Sequence, residues 1–281
     1  MAAPDDTRFD LIVVGSGPGG YIAAIRAAQL GMNVACVEAD KLGGVCLNIG
    51  CIPTKAMLTS ALLVNDVKKS GESHGIQASE LSFDLGPAQE RSRRVANQLS
   101  RGISGLFKKN KITHVQGYGR LQGGGAVAVE NDGETRVIHG EHIIVATGSR
   151  PRNLPSLQID EDRIWSSTGA LMQTKAPDSL LIVGAGAIGM EFADVYEAYG
   201  TKVTIVEALD RILPLEDREV SAFMARTYKK RGMDIHTGAF FESADIQDDG
   251  VQVSFKDSKG EIHEMKVDYI LSAVGRVPNS E

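Results

Sequence analysis

The chain alternates short apolar runs with glycine-rich turns and amphipathic stretches, a pattern that predicts an α/β organisation. Leu11-Ile12-Val13-Val14 is continuously apolar, as expected of a strand buried on both faces of a parallel sheet. It runs into Gly15-Ser16-Gly17-Pro18-Gly19-Gly20, then an Ala- and Ile-rich helical stretch from Tyr21 to Leu30, closed by Gly31 as a left-handed cap. Val34 to Val37 reads as a second strand with Glu38 at its carboxyl end. Helices are predicted from Pro53 to about Lys69 and from Arg91 to Lys109, where Val95, Leu99, Ile103 and Leu106 share one face. Residues 71–87 read as a loop. From Thr113 to Val145 short alternating segments broken by glycine predict an antiparallel β-meander, overlapped at its end by a buried strand, His142 to Ala146. The polar strand end Thr147-Gly148-Ser149-Arg150-Pro151 lies where an open α/β sheet holds its ligand.

The same pattern then repeats. Shifting Leu11–Glu38 by 169 residues lays it on Leu180–Glu207 without a gap, and 10 of the 28 positions are identical. Gly15, Gly17, Gly20 and Glu38 fall on Gly184, Gly186, Gly189 and Glu207. A helix around Arg218–Arg231 and a second meander from Asp234 to Val267 follow. Tyr269 to Arg276 echoes Ile143 to Arg150. Each copy is a strand, a glycine turn, a helix, a strand and an acid. In such a unit the glycines allow close approach of a pyrophosphate, whose charge faces the helix amino terminus, and the acid accepts from ribose hydroxyls. Two Rossmann-like domains are therefore expected, each with a central parallel sheet and a meander: 1–150 and 151–281, the cut falling in Arg150–Pro155. Glu207 would bond a free 2′-hydroxyl and repel a 2′-phosphate, which favours NAD in the second domain; the nearest arginine, Arg211, stands four residues on.

Composition narrows the class. With 42% apolar and 23% charged residues and a formal charge of -6, the chain lacks the basic surface of a nucleic-acid binder. No apolar run approaches the roughly 20 residues of a membrane span. Met1 to Asp10 has neither a basic end nor an apolar core, so no secretory signal is expected. Three cysteines are too few for a secreted disulfide scaffold; a cytoplasmic protein with a catalytic thiol pair fits better.

Those thiols are the candidate chemistry. Cys46 and Cys51 lie in Gly43-Gly44-Val45-Cys46-Leu47-Asn48-Ile49-Gly50-Cys51-Ile52-Pro53-Thr54-Lys55, just beyond Glu38. As a metal site the pair supplies two ligands, with only strand-borne Cys36 nearby. As buried structural thiols they would stand beside Gly43-Gly44 by coincidence. As a redox disulfide beside a bound dinucleotide they account for the glycines and for the helix start at Pro53-Thr54, near whose amino terminus Cys51 would sit. In the second copy Glu191 stands where the first has Ile22. It reads either as a solvated helix residue or as a partner for Lys55 or a nicotinamide.

The stretch Leu42–Lys55, set between the two glycine fingerprints, resembles the pyridine nucleotide–disulfide oxidoreductases, most closely the branch that oxidises dihydrolipoamide. Gly184–Glu191 and Ile212-Leu213-Pro214 are similar as well, and the likeness covers essentially the whole chain. The resemblance implies FAD at Gly15, Gly17, Gly20, Glu38, Gly43, Gly44, Lys55, Gly117-Tyr118-Gly119 and Thr147-Gly148-Ser149. It implies NAD at Gly184, Gly186, Gly189, Glu191, Glu207, main chain near Ala239, and Gly275. From the cysteine spacing itself no metal is expected. Cys46 would exchange with a dithiol substrate, Cys51 would lie against the flavin, and Lys55 would pair with Glu191. The implied partners are a lipoyl domain of a 2-oxo acid dehydrogenase complex and, for the full-length enzyme, a second copy; neither nucleic acid nor membrane is implied. In the family a dimerisation domain with a His–Glu base follows. None of His74, His114, His139, His142, His236 or His263 sits in such a motif, so an amino-terminal portion of the enzyme is expected.

Overall fold

A computed structural model describes residues 7–77 and 80–281. Part of the amino-terminal stretch and part of the predicted loop at 71–87 lie outside the described residues. The chain forms two compact units, one made of Met1–Pro53, Arg93–Arg150 and Pro278–Glu281, the other of Thr54–Ser92 and Pro151–Val277. This differs from a single cut after residue 150, because Thr54–Ser92 packs with the second unit and the last four residues with the first.

In the first unit β1 (Arg8–Val14), α1 (Pro18–Gln29) and β2 (Val34–Glu38) form the expected strand–helix–strand. Next come α2 (Gly44–Ile49), α3 (Cys51–Ser70), whose first three residues belong here, and α4 (Leu85–Lys109), which belongs here from Arg93 on. The strands β3 (Thr113–Gln116), β4 (Tyr118–Gly123), β5 (Ala126–Asn131) and β6 (Glu134–Val145) follow, then the short β7 (Ser149–Pro151). One six-stranded sheet results, in the order β3-β2-β1-β6-β5-β4. Two expectations change. Thr113–Val115 is not the start of the meander but a parallel edge strand beside β2. The end of the expected meander and the predicted strand from His142 form one long strand, β6, which pairs antiparallel with β5 and parallel with β1. The apolar run of β1 serves two cores: Leu11 and Val13 pack with Ala24, Ala27, Ile103 and Phe107, while Ile12 and Val14 pack with Val127, Val129 and Ile138. Helix α4 begins earlier than predicted; its buried residues are Leu85, Ala88, Gln89, Ser92, Ala96, Ile103 and Phe107, and Leu99 and Leu106 are exposed. The small Ala96 and Ser100 let the backbone approach closely; the Ser100 hydroxyl donates to the Leu42 carbonyl at 2.7 Å.

The second unit contains most of α3, the short β8 (Ile164–Trp165), α5 (Ser167–Met172), β9 (Ser179–Val183), α6 (Ala187–Ala198), β10 (Lys202–Glu207) and α7 (Arg218–Lys230). After these come β11 (Asp234–Thr237), β12 (Phe240–Gln247), β13 (Gly250–Lys256), β14 (Ile262–Val267), β15 (Tyr269–Ser272) and β16 (Arg276–Pro278). Its parallel sheet runs β11-β10-β9-β15-β8, and β12-β13-β14 form a separate antiparallel sheet. Asp234–Thr237 again joins the parallel sheet rather than the meander. The alternation of β9 matches that of β1: Leu180 and Ile182 face the core of α3 and α6, Leu181 and Val183 the meander.

One segment departs from the expectation on membrane spans. The helical stretch Gly44–Ser70 has the length and mean hydropathy (1.4) of one. It is interrupted at Gly50, and its apolar residues Met57, Ala61 and Val64 are spent in the core of the second unit.

Candidate active site

The two glycine turns are built alike. A Cβ on Gly20 would lie 1.8 Å from the Gly15 carbonyl oxygen, and one on Gly189 2.0 Å from that of Gly184. These glycines therefore let each helix press on its own turn. At Gly17 and Gly186, the N-caps of α1 and α6, an added Cβ would meet nothing within 4 Å. Neither helix has a side-chain cap, whereas α5 and α7 are capped by Ser166 and Asp217. Two helix ends thus present orphan amides beside open space, the arrangement that receives a pyrophosphate.

The acids close each unit. Glu38 accepts from the Ser16 amide at 2.9 Å, the Ser16 hydroxyl at 2.6 Å and the Asp40 amide at 2.9 Å. Glu207, buried, accepts from the Ala185 amide at 2.6 Å and the Leu209 amide at 2.8 Å. Leu213, at the unusual φ of +47°, donates its amide to the Ala185 carbonyl at 2.7 Å, and its own carbonyl takes the Ser221 hydroxyl at 3.0 Å. A bulky residue with positive φ persists only where its surroundings over-determine it. Here the first bond ties the Ile212-Leu213-Pro214 segment to the second turn and the second ties it to α7.

The cysteine stretch lies against the first turn. Gly43 adopts φ +98°, and its amide donates to the Ser16 carbonyl at 3.1 Å and hydroxyl at 3.2 Å. A Cβ on Gly44 would fall 2.7 Å from Gly17 Cα. The stretch is helical: Cys46 sits in α2, Gly50 breaks the helix, and Cys51 is the first residue of α3. The Asn48 side chain donates to the carbonyls of Leu42 (3.1 Å) and Gly44 (2.9 Å), and Arg93 donates to the Asn48 carbonyl at 2.8 Å. Cys46 is half-buried and Cys51 exposed. Cys36 is buried, and burial, reinforced by the Glu38 carboxylate, pushes its thiol up to about 12. It is a core residue.

The remaining expected residues fall around these features. Gly117, at φ +138°, joins β3 to β4 and donates its amide to the Glu38 carbonyl at 2.8 Å. Gly119 packs between Val14 and Val37, where a Cβ would come within 2.9 Å and 3.2 Å. The Thr147 hydroxyl donates to the Asn279 carbonyl at 2.5 Å, and Asn279 returns a bond from Nδ2 to the Thr147 carbonyl at 2.9 Å and from its amide to the Gly148 carbonyl at 3.0 Å. Ser149 opens β7. In the second unit, Lys55 Nζ lies 2.5 Å from Glu191 Oε1, with the two side chains 61% and 26% exposed. A pair so exposed adds little stability; its consequence is orientation. The Ala239 amide is committed to the Glu207 carbonyl at 2.9 Å, and Gly275 accepts from the Arg152 amide at 3.0 Å. Asp257, Glu261 and His263 also gather within 4.8 Å. Asp257 is already engaged by the Lys259 and Glu261 amides and His263, so this group reads as a hairpin turn.

Sequence reasoning missed Ser16, Asn48, Arg93 and Asn279. Ser16 stood inside the fingerprint and Asn48 between the cysteines, so position could have flagged both. Nothing local marked Arg93 or Asn279, whose partners are distant in sequence.

A family model described as pyridine nucleotide-disulphide oxidoreductase matches residues 9–281. The chain belongs to this family. It is 43% identical over 275 residues to a dihydrolipoyl dehydrogenase of Zymomonas mobilis, covering 98% of this chain and 59% of that protein. A dihydrolipoyl dehydrogenase of Mycobacterium tuberculosis is 44% identical over 277 residues, with 98% and 59% covered. The solved structure of LpdA from M. tuberculosis superposes with a TM-score of 0.85 at 28% identity, over 97% of this chain and 59% of that one. The chain thus spans somewhat over half the length of these relatives. As in the family's name, a dinucleotide turn and a cysteine pair stand together, and the first unit packs Gly43 and Gly44 directly on Ser16 and Gly17.

Proposed function

We propose that this chain carries the two nucleotide sites and the redox dithiol of a flavoprotein that oxidises protein-bound dihydrolipoamide with NAD⁺. The observation that carries this reading is the packing of the Cys46–Cys51 stretch on an uncapped dinucleotide turn within one compact unit. FAD, held at the first turn by Gly15, Gly17, Gly20, Glu38, Gly43, Gly44, Gly117, Gly119 and Thr147–Ser149, would supply electron transfer between dithiol and nicotinamide. The chain's own contribution is placement. The α1 amides receive the pyrophosphate, Glu38 the ribose, and α2 and α3 present Cys46 and Cys51 at their turns. Cys46 exchanges with substrate, so that two substrate thiols become a disulfide as the protein pair is reduced. Cys51 would be the thiol that exchanges electrons with the flavin. The second site holds NAD through Gly184, Gly186, Gly189, Glu191, Glu207 and Gly275, and Lys55 paired with Glu191 fixes the local geometry. The net reaction takes two electrons and one proton from dihydrolipoamide to NAD⁺ and releases the second proton. The proposed partner is a lipoyl domain of a 2-oxo acid dehydrogenase complex, the proposed full-length state a homodimer, and the proposed location the cytoplasm.

The specific rival is a nucleotide-binding unit without lipoamide turnover. Purified protein should be yellow and should bleach with NADH. Lipoamide-dependent NADH oxidation, lost in Cys46→Ser and Cys51→Ser, supports the enzyme reading. A yellow protein that bleaches without such turnover supports the rival, and a colourless protein that takes up no FAD refutes both as flavoproteins.

A further inference from the structure

The internal repeat provides its own control for what one side chain does. Ser16 and Ala185 occupy equivalent positions, 169 residues apart, as do Glu38 and Glu207, and Asp40 and Leu209. Both acids accept the amide of the turn residue (Ser16 at 2.9 Å, Ala185 at 2.6 Å) and the amide two residues beyond themselves (Asp40 at 2.9 Å, Leu209 at 2.8 Å). The two sites differ in one bond. The Ser16 hydroxyl donates to Glu38 Oε2 at 2.6 Å, and alanine has no counterpart. That hydroxyl is not free to turn away. Ser16 is fully buried, and its oxygen accepts the Gly43 amide at 3.2 Å, which leaves its proton for the carboxylate.

A carboxylate offers about four acceptor positions, two on each oxygen. On Glu38, Oε2 is filled by the amide and the hydroxyl of Ser16, and Oε1 keeps one position beside the Asp40 amide. On Glu207 each oxygen accepts one amide, so each keeps one position. The two hydroxyls of an adenosine ribose are neighbours on one ring edge, and only an acid with an acceptor position left on each oxygen can take one on each.

We propose that Ser16 is a specificity-determining residue of the first nucleotide site: it restricts Glu38 to a single ribose hydroxyl, while Glu207 accepts both. The same side chain holds Gly43, so the residue that limits the acid also anchors the entry to the cysteine stretch. The inference rests on FAD and NAD being the ligands of the two turns. Its consequence is that the two sites read the same adenosine moiety differently, which keeps a bidentate ribose grip for the exchanging nucleotide and withholds it from the resident one.

The test uses the apoprotein, with flavin fluorescence quenching for FAD and nicotinamide fluorescence for NADH. The probes are FAD and NADH and their counterparts lacking either the 2′- or the 3′-hydroxyl of the adenosine ribose. A charge-assisted hydrogen bond is expected to change affinity by about tenfold. For the native protein one deoxy-FAD should weaken by about that factor and the other by less than about twofold, while both deoxy-NADH species weaken. In Ser16→Ala both deoxy-FADs should weaken relative to FAD. In Ala185→Ser the NADH pattern should become one-sided, and this arm decides if Ser16→Ala does not fold. Equal weakening by both deoxy-FADs in the native protein, or unchanged patterns in the variants, overturns the inference alone. Failure of the native protein to bind unmodified FAD overturns the flavoprotein reading with it.

Discussion

Replacing Gly20 by alanine should test whether the glycine turn is a packing device as well as a phosphate cradle. The added Cβ would lie 1.8 Å from the Gly15 carbonyl oxygen, where side-chain carbons essentially never come within 3.0 Å of such an atom. Helix α1 must therefore retreat by about 1.2 Å or the turn must distort. Retreat lifts Ala24 and Ala27, the next two buried turns of the same face, off the strands. Overpacking of a close-packed core costs about 1–3 kcal/mol. The loosened alanines put this case at the upper end, about 3 kcal/mol, or roughly 6–12 °C in melting temperature for a chain of this size. Gly19, one residue earlier, has nothing within 4 Å; alanine there should be neutral or stabilise by up to about 1 kcal/mol through helix propensity. Thermal melts of both variants without added nucleotide give the comparison, and flavin titration then shows whether the altered turn still binds. A Gly20→Ala protein melting within about 2 °C of the native one, by an assay able to resolve about 1 °C, would refute the packing argument.

Other perturbations follow from single residues. Cys36 is held protonated to about 12 by burial and by Glu38, against about 8.5 in an unfolded chain. Its contribution to stability is therefore complete below the unfolded value and declines by up to about 1.4 kcal/mol per pH unit as pH rises towards 12. Urea midpoints measured from pH 8 to about 10.5 should show this slope, and Cys36→Ala should flatten it. The Ser272 hydroxyl is buried without a partner among the described residues, so Ser272→Ala should raise stability by about 1 kcal/mol; a loss of that size in chemical denaturation would mean that the hydroxyl is satisfied after all. Arg231, at the end of α7, bonds Asp194 and Glu197 of α6 and is only 12% exposed. Arg231→Met should cost about 3 kcal/mol by stranding two carboxylates, and a double variant with Asp194→Asn should recover part of it in the same denaturation assay.

The local pattern determined the repeated units of this protein. A strand buried on both faces must be apolar throughout, a helix pressed on its turn needs glycine at Gly20 and Gly189, and a ribose needs an acid at the strand end. Each requirement falls on neighbouring residues, so it is written in neighbouring letters. The cysteine pair with its flanking glycines was legible for the same reason. Choices between distant segments were left to the tertiary structure. Thr113–Gln116 and Asp234–Thr237 look like meander strands, but each completes a parallel sheet because β2 and β10 present an open edge. The buried face of α4 was misread because Ala96 and Ser100 are small, and the space they leave matters only where another backbone approaches. Arg93 and Asn279 gain their roles from carbonyls 45 and 132 residues away. Most telling is Ser16: the sequence shows a serine inside a glycine turn, and only folding puts its hydroxyl between Glu38 and Gly43. A one-letter difference from Ala185 thereby becomes a difference in how many hydrogen bonds an acid has left to give a ligand.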